Sequence, residues 1–472
     1  MSHYSSPAEK DLKRDLENDQ PALNNTPSVA GEAQVHDDVF GEITDEGPNY
    51  RAVGWIGTVA LMMKTQIGLG VLSIPAVFDV LGIVPGIICL IVIAGITTWS
   101  DYMVGVFKRN HPQVYGIDDA GFLIFGRVGR EIFANSSDWI FVAGSGMLGL
   151  SIGLNAVSLH GTCTAVFVAV AAICGFLLAS VRTLGRISML AWVGLVCIMT
   201  AIFTVTIAVG IQDRPAAAPQ EGHWKSDWKA VGNPSFTEAI SSISSLIFAY
   251  AGTPGFFAIA AEMKRPEHYT RSLLICQAGV TITYIVIGCV VYLYCGSYVA
   301  SPALGSAGHL IKRVAYGISL PGLLATTVLV IHFAAKYVFV RLLRGTKHLS
   351  SNSAVHWGTW LACTIITTVI AYLIASGIPV FGGLVSLVGA LLGTLMSFQL
   401  YGFMWLYDNW AKGKRDPNMK WYLMVAFSVF VIVSGTFLMI GGTYGSIVGI
   451  IDSYKASGGS AAFSCADNSN ST

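Results

Sequence analysis

The sequence predicts an all-α polytopic membrane protein with eleven transmembrane helices, two of them interrupted. Three observations carry this. The chain is 53% apolar and only 12% charged over 472 residues, with a mean hydropathy of +0.61; a soluble domain is about 25% charged. Its apolar runs reach about 20 residues, the length that crosses roughly 30 Å of hydrocarbon at 1.5 Å per residue. Lysine and arginine collect on alternate connections instead of spreading over all of them.

Taken in order, the first run, 54–78, follows Arg51, and the second, 81–107, stops at Lys108-Arg109. The third, 136–159, begins after Arg127 and Arg130, and the fourth, 162–181, after a very short connection, ends at Arg182. The fifth, 187–211, lies between Arg186 and Arg214. The sixth, 236–261, leads into Lys264-Arg265, and the seventh, 272–296, starts after Arg271. The eighth, 319–343, is bracketed by Lys312-Arg313 and Arg344. The ninth, 355–377, almost touches the tenth, 379–407, which ends before Lys412. The eleventh, 420–448, is followed by Lys455.

With the N-terminus in the cytoplasm, twenty of the 28 basic residues fall on inner segments and six on outer ones, leaving Lys64 and Lys336 within spans. By the positive-inside rule this orients the chain, and an odd number of spans puts the C-terminus outside. Residues 1–50, with eleven acids against Lys10, Lys13 and Arg14 and no apolar period, read as a disordered acidic cytoplasmic tail. They lack the basic start and apolar run of a signal peptide. Residues 51–454 form the transmembrane domain, and 455–472 a short extracellular tail that ends in the sequon Asn470-Ser471-Thr472.

A net charge of +1 supplies no global field for nucleic acid. The nine cysteines include no C-x-x-C pair and read mainly as small buried hydrophobes, with Cys163, Cys295 and Cys465 placed to face outside. Gly144, Gly146 and Gly149 match a dinucleotide fingerprint but lie inside a span without a preceding strand, where small residues serve close helix packing. There is no phosphate-binding loop, and no histidine pair has metal-ligand spacing, so no cofactor or enzymatic activity is expected.

Two spans carry breaks. The first contains Gln66-Ile67-Gly68-Leu69-Gly70-Val71, and the sixth Phe248-Ala249-Tyr250-Ala251-Gly252-Thr253 followed by Pro254-Gly255. Unwound backbone at membrane depth exposes N–H and C=O groups and is tolerated where it is buried in protein or lines a cavity. The breaks occupy corresponding members of two five-span halves that start on opposite sides of the membrane. Such paired interruptions point to a transporter substrate site. Free N–H groups attract an anion and free C=O groups a cation. The amides of Gly68, Leu69, Gly70 and Val71 facing a carboxylate, and the carbonyls of Phe248, Ala249 and Tyr250 facing an ammonium, would together hold an amino-acid zwitterion. Phe248, Tyr250, Phe256 and Phe257 are available for a side-chain pocket, or for packing.

KTQIGLGVLSIP, ending at Pro75, resembles the first span of the amino acid/auxin permease family of the amino acid–polyamine–cation superfamily, and FAYAGTPGFFAIAAEMKRP, beginning at Phe248, resembles its sixth. From about Tyr50 to Tyr454 the chain is similar to that family's fungal neutral amino acid permeases. The resemblance implies the inverted five-plus-five fold of the bacterial leucine transporter and proton-coupled uptake of neutral aliphatic and aromatic L-amino acids at the plasma membrane. A vacuolar or sodium-coupled carrier, and a non-transporting amino-acid receptor, are the alternatives.

Lys64, about 15 Å into its span, is a candidate proton carrier, a fixed cation in place of a sodium ion, or a structural cation. His332 and Lys336 share a face of the eighth span, which the family fold would bring near Lys64. Both are further ion-coupling candidates; a neutral histidine and a lysine snorkelling to the cytoplasmic side are the plainer readings. Asp101, Asp138, Glu238 and Glu262 also lie in or at the ends of spans, and Glu262, beside Met263-Lys264-Arg265, reads as a solvated interfacial charge.

Overall fold

The computed structural model describes residues 36–37, 41–42, 51–133, 136–215, 217–349, 351–378, 380–456 and 463–469. Most of the acidic tail, the Asp138 side chain and the Asn470 sequon lie outside them. Apart from a minimal antiparallel pair, His36–Asp37 with Gly41–Glu42, and a single bridge between Val53 and Met263, the regular structure of the described residues is helical.

Among them, nine helices are long and apolar enough to cross a membrane. The other two predicted spans take different forms. The fourth is the shorter apolar helix Thr164–Ala179. The first is divided into α1 (Trp55–Gln66) and α2 (Ile74–Leu81), joined by the non-helical Ile67 and a single tight turn at Gly70–Leu72. The sixth is likewise divided, into α3 (Phe236–Tyr250) and α4 (Thr253–Ala261). Both second halves begin with proline in the first turn, Pro75 and Pro254, where its missing N–H costs nothing and its fixed φ suits a helix start. At the N-terminal end of α3, Ser235 and Glu238 form a reciprocal capping box, with the Ser235 N–H donating to Glu238 Oε2 at 2.8 Å.

Several boundaries differ from the sequence expectation. The eighth span extends backward to His309 and continues through Pro321 to Leu343. The tenth starts at Phe381 and winds more loosely over Gly389–Gly393 and Leu395–Gln399 before ending at Arg415. The last continues to Ala456. An additional amphipathic segment, Ile117–Ile132, follows the second span as two helical stretches kinked at Gly126 (φ 67°). Asp118 and Asp119 stand in its first turn and Arg130 in its last, matching the helix dipole.

The apolar outer faces carry exposed Ile173, Leu177, Val196, Ile207, Ile282 and Val433, as expected of surfaces that meet lipid. The two ends of the bundle are held differently. At the Lys/Arg-rich end, the Val53 N–H donates to Glu262 O at 3.0 Å and the Lys264 N–H to Val53 O at 2.8 Å, joining the starts and ends of the two divided spans. Arg344 there grips Asp119 through two bonds of 2.9 and 3.0 Å. Burial and the neighbouring Asp119 push the Asp118 carboxyl up to about 7, against the pull of Arg130 and Arg344. At the opposite end, a disulfide joins Cys163 to Cys465, while Cys295 is free and buried. The Lys312 ammonium donates to Ser469 O at 2.6 Å, tying the C-terminal segment over a cavity of about 470 Å³.

Candidate functional site

The two breaks meet in the middle of the bundle. A Cβ on Gly70 would lie 2.4 Å from Ala249 Cα, so these backbones touch as only glycine permits. Gly68 makes a similar approach to the eighth span, where a Cβ would meet Thr326 Oγ1 at 2.7 Å. The structure thus brings together both sets of predicted residues. Gln66, Ile67, Leu69 and Val71 are buried on one side, and Phe248, Ala249, Tyr250, Ala251 and Thr253 on the other, with Gly68, Gly70 and Gly252 buried between them.

The backbone groups divide unequally. Among the described residues, the Gly68 and Leu69 N–H groups donate to no other backbone group. The carbonyls expected to stay open on the sixth span already have donors. Phe248 O accepts the Ala251 N–H at 3.1 Å, and Tyr250 O the Gly252 N–H at 2.8 Å. Ala249 O accepts the hydroxyl of Tyr284 at 2.9 Å. That hydroxyl also lies 2.8 Å from Gln66 O, so a single phenol proton is shared between the two breaks. Each of these oxygens keeps a second lone pair for a ligand.

Tyr284 stands on the seventh span and is not among the residues the sequence singles out. One tyrosine in an apolar run has no periodic or spacing signal; only the fold brings its hydroxyl to two distant carbonyls. Tyr250 packs edge-on against it with ring centroids 5.2 Å apart and donates to Thr281 Oγ1 at 3.0 Å. Replacing Tyr284 with Phe leaves two buried carbonyls without this donor, a penalty of about 1–3 kcal/mol. We expect uptake by Tyr284→Phe to fall roughly tenfold, measured as initial rate against substrate concentration.

Two buried polar groups at the junction make no hydrogen bond to protein: the Gln66 amide, through both Oε1 and Nε2, and Thr253 Oγ1. Other buried polar groups, among them Ser397 Oγ and Ser428 Oγ, also lack protein partners, so these two are singled out by their place between the breaks. Phe256 and Phe257 are also fully buried.

The ion-coupling candidates separate. The Lys64 ammonium, with no exposed surface, donates to Ile67 O at 3.0 Å, directly at the first break. It lies where the first, fifth and eighth spans meet: a Cβ on Gly194 would touch both Lys64 Cε, at 3.1 Å, and Ala325 Cβ, at 2.4 Å. The eighth span therefore does reach Lys64, but through Gly322 and Ala325. His332 is seven residues further along, about 10 Å, and packs edge-on to Trp360 at 5.1 Å between ring centroids. Lys336 is 1% exposed and forms an ion pair with Glu262, itself 1% exposed. Glu262 is thus a buried partner and not a solvated charge, and Lys336 does not snorkel. The sequence misleads here because Glu262 and Lys336 are 74 residues apart and each, viewed alone, sits beside a basic cluster or a span end.

Gly149-Leu150-Ser151-Ile152-Gly153 has the spacing of a hydrolase nucleophile elbow, a further match within the third span. It lies within the continuous helix Ser136–Ser158 with no strand before it, and Ser151 Oγ donates to Leu148 O at 2.8 Å. The strained strand-to-helix turn which that chemistry needs is absent there.

The profile of the family described as "Transmembrane amino acid transporter protein" matches residues 51–448. A Gibberella moniliformis protein named "Transmembrane transporter" is 34% identical over 436 residues, covering 92% of this chain and 91% of its own. The "N amino acid transport system protein" of Neurospora crassa is 31% identical over 441 residues, covering 90% of this chain and 92% of its own. In architecture the chain is similar to MhsT in complex with L-phenylalanine, with a TM-score of 0.51 at 10% identity over 85% of this chain and 98% of that one. It is also similar to a Na+-coupled sialic acid symporter, with a TM-score of 0.52 at 12% identity over 85% of this chain and 92% of that one. The fold is that of an all-helical, multi-pass membrane transporter, and the named relatives are transporters, not enzymes. The chain belongs to the transmembrane amino acid transporter protein family.

Proposed function

We propose that the protein is a secondary active symporter that imports neutral aliphatic and aromatic amino acids with protons across the plasma membrane. Its eleven spans form an inverted five-plus-five repeat, with the substrate held between the breaks of the first and sixth. The observation that carries this reading is the junction itself. Two interrupted helices touch at Gly70 and Ala249 and share the Tyr284 proton. Open amides at Gly68 and Leu69 and an unsatisfied Gln66 amide surround them. A zwitterion's carboxylate meets N–H groups of the first break, and its ammonium meets second lone pairs on the sixth-break carbonyls.

The predicted substrate-binding set contains no acidic or basic side chain, which favours a neutral substrate; Lys64 is turned toward Ile67 O. Lys64 takes the place of a bound sodium at the ion site of the fold, its side-chain nitrogen donating to Ile67 O. The cytoplasmic N-terminus and extracellular C-terminus are supported by the basic end of the bundle and by the Cys163–Cys465 bond at the other, since disulfides persist in oxidising surroundings.

The test is uptake of labelled neutral amino acids by transport-deficient cells at several pH values, with and without sodium. Accumulation should rise in acid, ignore sodium and collapse with a protonophore. A sodium requirement would overturn the coupling assignment, and binding without accumulation would overturn transport.

A further inference from the structure

We propose that Asp101, in the second span, is the site that carries the coupled proton, an inference that rests on the symport reading above. Asp101 is completely buried within the helix Ile83–Asn110. Its Oδ2 accepts the Gln277 side-chain N–H. The groups facing it come from every side. Thr253, the first residue of α4, lies beside the carboxyl. From the seventh span come Gln277, Tyr269, whose hydroxyl donates to Asp101 O at 2.8 Å, and Cys276. Tyr401 approaches Tyr269 from the tenth span.

None of these is a cation, and no ion pair reaches Asp101 among the described residues. The basic residues of its own helix, Lys108 and Arg109, are seven and eight positions on, roughly 10–12 Å away. A carboxylate buried without a counter-charge is costly in a membrane interior, whereas a neutral carboxylic acid is tolerated and can donate a hydrogen bond.

Its position gives this protonation a consequence. On one side is Thr253, immediately after the sixth-span break. On the other is a cavity of about 210 Å³ at the basic end, lined by Arg51, Gly105, Lys108, Arg109 and Tyr269. Tyr269 belongs to that cavity wall and bonds the Asp101 backbone. The carboxylate takes up one proton to become the neutral acid, which lets the break close beside it. When the basic end opens, water in the cavity reaches the acid, the proton leaves, and the returning charge favours the open form. The sequence candidates for this role are less suited: Lys64 is held on the backbone of the first break, and Lys336 is matched by Glu262.

The experiment uses the full chain reconstituted in vesicles, with labelled leucine as probe. With one proton per substrate, a potential of 100 mV sustains about a fifty-fold gradient. Asp101→Asn, which imitates the protonated state, should lose that gradient, ending near equal concentrations, while labelled leucine still exchanges across the vesicle membrane. Asp101→Glu should recover part of the gradient. A normal gradient in Asp101→Asn overturns the assignment and leaves symport standing. Absence of proton-driven accumulation in the unaltered protein overturns symport and this proposal together.

If Asp101→Asn also loses exchange, infrared difference spectra of the unaltered protein and Asp101→Glu decide. A protonated-carboxyl band at neutral pH that moves in the Glu variant supports the proposal, and its absence or immobility overturns it.

Discussion

Gly70→Leu is expected to abolish uptake. The Cβ alone would sit 2.4 Å from Ala249 Cα and 2.8 Å from Ala249 Cβ, so the obstruction is backbone and cannot rotate aside. Overpacking usually costs about 1–3 kcal/mol, and here relief requires the two breaks to move apart. Separation would also stretch the Tyr284 bridge, because Gln66 O and Ala249 O no longer fit one hydroxyl. The outer scaffold does not pass through this contact, so the variant should reach the cell surface. Gly68→Leu should behave similarly by displacing Thr326, though a side chain yields more readily than a backbone. Surface labelling with initial-rate uptake checks both. Normal uptake in both variants would remove the junction from the substrate site.

Lys336→Met is expected to destabilise the protein by about 3–5 kcal/mol, because it leaves the Glu262 carboxylate buried without its cation. Lys336→Met combined with Glu262→Gln should recover most of that loss, since no uncompensated charge then remains. Thermal unfolding in detergent measures both variants. An unaltered melting temperature in Lys336→Met would mean that the pair contributes little. The contact has a positional role as well: Glu262 follows α4, and its carbonyl binds Val53 before α1, so the pair couples the eighth span to the start of the first divided span and the end of the sixth. Uptake by the double variant, once stability has returned, separates that positioning role from simple stability.

Much of this architecture is legible in the amino-acid sequence. Apolar run length and scarce charge announce spans because lipid solvates neither charge nor open backbone. Gly68 and Gly70 in one run, and Gly252, Pro254 and Gly255 in another, are local chemistry that weakens a helix wherever it is placed. Their matching order in the chain identifies the same residues that the structure packs together. Boundaries are less legible: His309–Arg313 is polar enough to resemble a loop, yet the eighth span incorporates it because Lys312 is satisfied by the C-terminal segment.

The membrane class, the placement of most spans and the positions of the two breaks follow from composition and short-range backbone preference, and so are readable along the chain. Which groups become partners depends on how the spans pack. That packing places Tyr284 between two carbonyls, matches Glu262 to Lys336, links Cys163 to Cys465, separates His332 from Lys64, and leaves Asp101 buried without a cation. A buried ionisable side chain is defined by what surrounds it. Those surroundings come from spans far apart in the chain, which no local pattern records.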